Sequence, residues 1–428
     1  MAMTWWRGDV VAAGAFLRAG EEYSTQLARF DGNEWHMLGA ANGTIFDALE
    51  FQGDLVVTGQ FSAISGVACN RVARFDGTAW HAMGQGAGET ALAVFQNQLH
   101  AGGAGAPHRW NGTSWQQVTS AVGGQVMAMV EFQGRLYVGG SIGQFGGPGP
   151  YLVAFDGQQT TTVGMPPNAP VSSLFVHQGE LWVGGQFTSI GGIAAAHVAI
   201  WNGTSFRAAG TGLPGPGGSS GVAVSAFAAL GNDVFAGGTF HSGTLPAAPA
   251  NRIARWNGSV WTPLGSGTNG GVGALLADPA QNRLFVGGRF FLAGGKPANE
   301  FAEWNETPRW TDLGFGTAGA TPFQLLATGL PRASATTRFE ITRAPVGAAA
   351  ALVLGFDQAF LPVLGVTVLP QPELLVFLQC DALGAASFTL VAPPGLPPGP
   401  ELFAQALAID STAPLGLAAT RAAVAQIR

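Results

Sequence analysis

The chain is poor in charge. Of its 428 residues only 10% are Asp, Glu, Lys or Arg, far below the quarter usual in globular proteins. Lys296 is the single lysine, the net charge is −6, and no basic run occurs. A surface for the phosphate backbone needs clustered cations, so nucleic acid is not an expected partner. Cysteine is scarcer still. Cys69 and Cys380 fall in regions that read as different domains, so neither a disulfide framework nor a cysteine metal site is indicated, and two isolated buried thiols are expected. No apolar run reaches the ~18 residues of a membrane helix, so no membrane span is expected. No signal peptide is present. The opening "MAMTWWRGDV" already lies inside a pattern that recurs later, which leaves room for a start upstream.

What the chain has in quantity is glycine and apolar residues. Hydrophobic residues make up 47%, enough for a globular core. The 65 glycines are about double the usual share. That combination suggests many short strands joined by turns.

Self-comparison gives the organisation. The segment "RLYVGG" (135–140) has relatives at 9–14, 54–59, 98–103, 180–185, 233–238 and 283–288. Their closing glycines are Gly14, Gly59, Gly103, Gly140, Gly185, Gly238 and Gly288, at steps of 45, 44, 37, 45, 53 and 50 residues. Each copy carries a four-part phrase. An apolar run such as "FDALEF" (46–51) leads through a tight turn ("QGD", "QNQ", "QGR", "QGE") into the "LYVGG"-type run. A variable loop follows, then "NRVARFDGTAWHAMG" (70–84) or a relative of it. Each short apolar run bounded by turn residues reads as a strand. Four strands at a period near 45 are the signature of a β-propeller blade. The expected fold is all-β: a seven-bladed β-propeller of four-stranded blades over residues 1–317, followed by a C-terminal β-sandwich over 321–428. In the tail, strands are expected at 337–344, 350–356, 363–369, 374–380, 386–392, 401–410 and 416–427, with "PPGLPPGP" (393–400) as a break.

The "RFDGTAW"-type phrase raises the question of a catalytic carboxylate. Its corner residue is Asp31, Asp76, Asn111, Asp156, Asn202, Asn257 and Asn305 in successive copies. A general acid or nucleophile cannot alternate with Asn, which does not titrate. A turn residue can, because both side chains cap their own backbone. Gly follows in six of the seven copies, and Asp-Gly or Asn-Gly is a strong hairpin signal. These positions are therefore expected to be structural turns, with the flanking aromatics packing between strands. Arg7-Gly8-Asp9 resembles a cell-adhesion tripeptide but aligns with the first tight turn of its repeat. The "NGT" and "NGS" glycosylation-like triplets at 111, 202 and 257 coincide with the hairpin corners.

The repeated "YVGG…ARF-DG-W" phrase resembles kelch-like propellers. It is more similar to the "LYVGGxF…IAxWDGxxWxxLG" repeats of secreted bacterial proteins and fungal cortical-marker ectodomains. The resemblance covers residues 1–314 and departs from strict kelch in its shorter third-to-fourth hairpin. The segment at 402–420 is similar to C-terminal domains of large secreted proteins of environmental bacteria. The resemblance implies an exported protein, extracellular or at the cell surface, and brings no catalytic residues with it.

Because strands alternate in direction, the second-to-third and blade-to-blade connections emerge on one face. They are long and variable there, and function tends to sit on such loops. The expected function is non-catalytic recognition of a glycan or an extracellular protein by this face. The candidate ligand-binding residues are Glu21, Glu22, Tyr23, Gln60, Tyr151, Gln186 and His241. No catalytic residue, metal or cofactor is assigned, and a monomer is expected. The alternative is a polysaccharide hydrolase or lyase at the channel mouth, using carboxylates of the inner strands such as Asp47, Glu50, Glu131 and Asp278. A copper-radical oxidase is disfavoured, since only Tyr23, Tyr137 and Tyr151 are available and the seven His do not cluster.

Overall fold

The structure is a computed structural model. It describes residues 1–428 except 17, 20–21, 24–25, 33, 86–87, 144–148, 216–220, 243–249, 299, 306–310, 313–323, 330–335, 343, 345–346, 356–357, 364–365, 371–373, 383–384, 392–400, 410–416, 420–422 and 427–428. Every regular element among the described residues is a β-strand. The chain divides into two compact units, Met1–Trp304 and Asn305–Arg428.

The first unit is a succession of seven open antiparallel sheets. Sheet 1 consists of Ala2–Trp6, Asp9–Ala13, Gln26–Phe30 and Trp35–Ala40; sheet 2 of Ile45–Phe51, Asp54–Gly59, Val72–Phe75 and Trp80–Ala82. Sheet 3 runs through Ala91–Phe95, Gln98–Gly102, His108–Trp110 and Trp115–Gln117, and sheet 4 through Gly124–Phe132, Arg135–Ile142, Leu152–Phe155 and Thr160–Thr162. Sheet 5 holds Val171–His177, Glu180–Gly185, Val198–Trp201 and Phe206–Ala208; sheet 6 holds Val224–Leu230, Asp233–Ser242, Ala250–Trp256 and Trp261–Pro263. Sheet 7 has three described strands, Gly271–Asp278, Arg283–Arg289 and Phe301–Asn305. In every sheet the strands follow chain order. The first-to-second and third-to-fourth connections therefore lie at one end, the tight-turn end, and all other connections at the opposite, long-loop end.

The tight turns follow from their sequence. Gln52 and Gly53 both take positive φ (54° and 87°), as do Gln133 and Gly134 (49° and 72°). Paired left-handed residues make the turn whose twist matches antiparallel strands. Arg7-Gly8 is the same device, with φ of 52° and 89°. Asp9 there is ion-paired with Arg29 at 2.6 Å, and Arg7 bonds the Asp76 carbonyl at 2.7 Å, so the tripeptide is absorbed into the fold. The closing glycines answer a contact and not a turn. A Cβ on Gly59 would lie 2.1 Å from the Thr44 carbonyl oxygen, and one on Gly140 2.1 Å from that of Gln125. No side chain fits where the end of the second strand meets the start of the first.

Between sheets the contacts repeat. Each first strand packs against the first strand of the next sheet, and that of sheet 7 packs against that of sheet 1. Polar links join several of these strands. Asp47 Oδ2 accepts from the Leu92 N–H at 2.8 Å, Ser173 donates to the Val224 carbonyl at 3.1 Å, and the Trp5 indole donates to the Ala277 carbonyl at 2.9 Å. Towards the fourth strands, an indole reaches back to the preceding sheet. Trp80 donates to the Leu38 carbonyl, Trp115 to that of Met83 and Trp261 to that of Ala209, at 3.3, 2.7 and 3.0 Å. Sheets 7 and 1 meet through aromatic rings, with Trp35 edge-on to Phe301 at 4.9 Å and Trp5 edge-on to Phe285 at 6.1 Å. Within sheets, Arg74 pairs with Asp54 at 2.6 Å, as Arg29 does with Asp9 and Arg255 with Asp233.

The second unit contains a six-stranded sheet of Thr311–Asp312, Ala423–Gln426, Glu401–Ile409, Ala349–Gly355 and Leu374–Gln379 in that order, with Leu417–Ala419 also on Glu401–Ile409. A three-stranded sheet of Gln324–Gly329, Thr336–Thr342 and Ala386–Val391 and a hairpin of Gln358–Val363 and Val366–Pro370 complete it. Phe339 packs with Leu352, Leu354 and Ala404, and Ile341 with Ala350, Cys380 and Ala406. The run at 363–369, expected as one strand, is split: Val363 ends one strand and Val366 begins the next. The segment at 416–427 likewise divides into two strands. Both are apolar on either side of the break, so periodicity does not mark it. Thr311–Asp312, read from the repeats as part of residues 1–317, pairs with Val424 and Ala423. The Pro-Gly stretch 393–400 lies outside the described residues. Cys69 and Cys380 are both buried free thiols, and burial raises the pKa of each.

Candidate functional site

The long-loop end is built from small hairpins. In four sheets the second-to-third connection forms its own two-stranded ladder: Arg18–Ala19 with Glu22–Tyr23, Ala63–Ile64 with Val67–Ala68, Ser189–Ile190 with Ile193–Ala194, and Leu292–Ala293 with Lys296–Pro297. Three are held down by an asparagine from the linker that precedes their own sheet. Asn42 Oδ1 accepts from the N–H groups of Ser62 and Ala63 at 2.9 and 3.0 Å. Asn168 does the same for Thr188 and Ser189 at 2.9 and 3.1 Å, and Asn269 for Phe291 and Leu292 at 2.8 and 2.9 Å. These asparagines were not singled out from the sequence. The signal was available, as an Asn recurring shortly before the first strand ("ANGT", "PNAP", "TNGG").

A second repeated feature closes each loop. A residue just before the third strand, or within its first residues in sheets 1 and 6, is left-handed although it is not glycine: Gln26 (φ 69°), Arg71 (68°), Tyr151 (52°), His197 (68°), Arg252 (65°) and Glu300 (63°). Non-glycine residues rarely adopt this conformation, and it persists where surrounding bonds fix it. Here the N–H of Arg71 donates to Phe61 and its carbonyl accepts from Gly59, at 3.0 and 2.9 Å; His197, Phe187 and Gly185 repeat the arrangement. The side chains are a mixed polar set. Arg71 faces Glu89 at 3.5 Å, and Arg252 donates to the Thr268 carbonyl at 2.9 Å. His197 is buried, which depresses its pKa and favours the neutral ring; its Nδ1 has no partner among the described residues.

Among the described residues no hydrogen bond joins one sequence candidate to another. Gln60 and Gln186 occupy equivalent positions in sheets 2 and 5, with backbone N–H groups bonded to Thr44 and Pro170 and side chains exposed. Tyr151 is half-buried and packs on the core between sheets 4 and 5. His241 is half-buried beside the third strand of sheet 6, opposite Asn251, and its Nδ1 has no partner among the described residues. Glu21 lies outside the described residues. Glu22 and Tyr23 are placed in the small hairpin of sheet 1, and their side chains lie outside the described set. Exposed apolar groups sit among these loops, notably Phe291 at 70% and Met165 at 64% exposure.

The inner-strand carboxylates do not pair with one another. Asp47 accepts from the N–H groups of Ala48 and Leu92, and desolvation pushes its carboxyl up to about 6. Asp278 is held by Arg283 Nε at 2.8 Å. Glu131 accepts from the Gln96 N–H at 3.2 Å, and Glu50 is exposed. Among the described residues no group of three or more His, Cys, Asp or Glu could hold a metal ion.

The hairpin corners are turns in atomic detail. Asp76 Oδ1 accepts from the Thr78 N–H, the Thr78 hydroxyl and the Ala79 N–H, at 2.8, 2.7 and 2.9 Å. Asn111 and Asn202 accept from the same three groups of their own turns, and Asp156 and Asn257 from two backbone N–H groups each. Asp31 accepts from the Glu34 N–H at 2.9 Å. Asp31 and Asp76 also hold His36 and His81 on the second oxygen, at 2.7 and 2.6 Å. Hydrogen bonds, first that from the Thr78 hydroxyl, keep the Asp76 carboxyl far below the usual range.

A scan against protein-family models and a search of curated proteins matched nothing.

Proposed function

We propose that Met1–Trp304 is a seven-bladed, kelch-like β-propeller, that Asn305–Arg428 is a β-sandwich, and that the protein is a non-catalytic recognition scaffold acting outside the cell. The seven sheets are the blades, and the contact of sheet 7 with sheet 1 supports closure by side-chain packing. Export rests on the resemblance of the repeats to those of secreted proteins. The ligand, a glycan or an extracellular protein, is taken up by the long-loop end.

One observation carries this reading: the described hairpins of sheets 2, 5 and 7 at that end are tied to their own sheets before any partner arrives. Small ladders, asparagine ties and bonded left-handed residues hold them, which reduces the conformational entropy lost on binding. The tight-turn end follows the repeat rule closely, whereas residues differ from blade to blade at the long-loop end. Hydrolysis is the weaker reading, because Asp47, Glu131 and Asp278 spend their oxygens on neighbouring protein groups.

The test is a binding screen of the full chain against a polysaccharide panel, with breakdown products assayed in the same wells. Binding without product, weakened when the hairpins at 63–68 and 189–194 are cut to two-residue Asn-Gly turns, is the expected result. Product release would overturn the reading and direct mutagenesis to Asp47, Glu50, Glu131 and Asp278. Binding unchanged by loss of both hairpins would remove the long-loop end from the account.

A further inference from the structure

In each sheet the third residue of the second strand faces the next sheet. In sheets 4 to 7 it is aromatic: Tyr137, Trp182, Phe235 and Phe285. In sheet 3 it is His100, buried and edge-on to Phe95 at 5.7 Å. Sheet 1 has Val11 at this register, but Trp6 fills the gap, its ring 5.4 Å from Phe75 and its indole N–H on the Gly53 carbonyl. Sheet 2 has Val56 opposite Arg74, and the corresponding end of its first strand is Phe51. Between sheets 2 and 3 a cleft of about 500 Å³ opens, within the range of small-molecule sites.

The gap between sheets 4 and 5 shows what is missing. There the Tyr137 hydroxyl accepts from the Trp201 indole N–H at 3.1 Å. Trp110 holds the place of Trp201 in sheet 3, but Val56 stands where Tyr137 would be. The Trp110 N–H bonds no described protein atom, and the cleft opens beside its ring. Val56 and Met83 form the buried floor, and Phe51 and Trp110 the walls. The rim is polar. It carries the Asp54–Arg74 ion pair and the amides of Gln52 and Asn97. Of the counterparts of Gln52, Arg7 and Gln133 are tied to the carbonyls of Asp76 and Asn202, at 2.7 and 3.4 Å, and Gln178 to the Asn232 amide oxygen at 2.8 Å; Gln96, like Gln52, has no such bond among the described residues.

We propose that this cleft at the tight-turn end binds a saccharide. One sugar ring lies against Trp110, a ring hydroxyl accepts from its indole N–H, and further hydroxyls bond to Asp54, Arg74 and Gln52. A simple phenol would satisfy the indole and leave the rim unused; a polyhydroxylated ring uses both. An apolar wall with a few convergent polar groups is what orients such a ligand. The site is separate from the long-loop end and does not depend on the function proposed for it.

The experiment is calorimetric titration of the full chain with cellobiose, xylobiose, mannobiose and N,N′-diacetylchitobiose, with p-cresol as the phenolic comparison. At least one disaccharide is expected to bind saturably. Val56→Tyr, which recreates the Tyr137–Trp201 arrangement, should weaken that binding by about tenfold or more. Trp110→Phe keeps the wall, loses the N–H, and should weaken it severalfold; it decides the matter if Val56→Tyr does not fold. Shortening the long-loop hairpins should leave it unchanged. Failure of every disaccharide, binding of p-cresol alone, or binding indifferent to both substitutions would overturn the proposal.

Discussion

Asp47 offers the sharpest test of how the sheets are joined. Its carboxylate links sheet 2 to sheet 3 through the Leu92 N–H, and burial raises its pKa from 3.8 to about 6. A carboxyl with a raised folded pKa favours folding most when protonated. Its contribution is fully present below pH 3.8 and is lost as pH rises through about 6. At 1.36 kcal/mol per pH unit, the ionised form carries a penalty of about 3 kcal/mol at pH 8. Asp47→Asn removes that penalty. It also loses one of two N–H partners, since the amide offers a single acceptor oxygen, which costs about 1 kcal/mol. The variant should be about 2 kcal/mol more stable than wild type at pH 8 and within about 0.5 kcal/mol of it at pH 4. Urea unfolding followed by tryptophan fluorescence reads this directly, because eleven of the twelve tryptophans lie in Met1–Trp304. A stability difference that does not change between pH 4 and pH 8, or an Asn variant weaker at pH 8, would refute the reasoning.

Further outcomes follow from other contacts. Asp76→Asn should leave the thermal midpoint at neutral pH nearly unchanged, since Asn111 and Asn202 make the same turn; Asp76→Ala, which removes the acceptor, should lower it. Because the folded Asp76 pKa is depressed, the wild-type carboxylate stabilises above its unfolded pKa and loses that contribution on acidification, a loss the Asn variant should not show. Trp261→Phe strands the Ala209 carbonyl and leaves indole volume empty in a site 2% exposed, and should cost about 3 kcal/mol in urea unfolding. Asn168→Ala should speed amide exchange in the hairpin at 189–194 by about tenfold, a loss of about 1.4 kcal/mol of local stability. Exchange in the strand Glu180–Gly185 should not change.

The sequence by itself determined the strand content, the repeat phrase and the role of its corners. Those are local matters. An Asp that alternates with Asn before Gly can be read as a turn because the groups it bonds lie two and three residues away. The closing glycines were visible as a pattern, but their cause was not, because the carbonyl that excludes a Cβ at Gly59 belongs to Thr44, just before the preceding strand begins. The candidates at the long-loop end were chosen from loop length. That signal placed Gln60 and Gln186 at equivalent sites yet passed over Asn42, Asn168 and Asn269, whose bonds span about twenty residues. In the tail, apolar residues lie on both sides of the breaks at 364–365 and 420–422, so strand ends could not be seen. Only the tertiary structure decided which sheets fill the gaps between them. Val56 reads as one more apolar residue in a strand, and Trp110 as one more corner aromatic. That the first leaves the second without a hydroxyl partner depends on two sheets lying side by side, a relation that no periodicity along the chain contains.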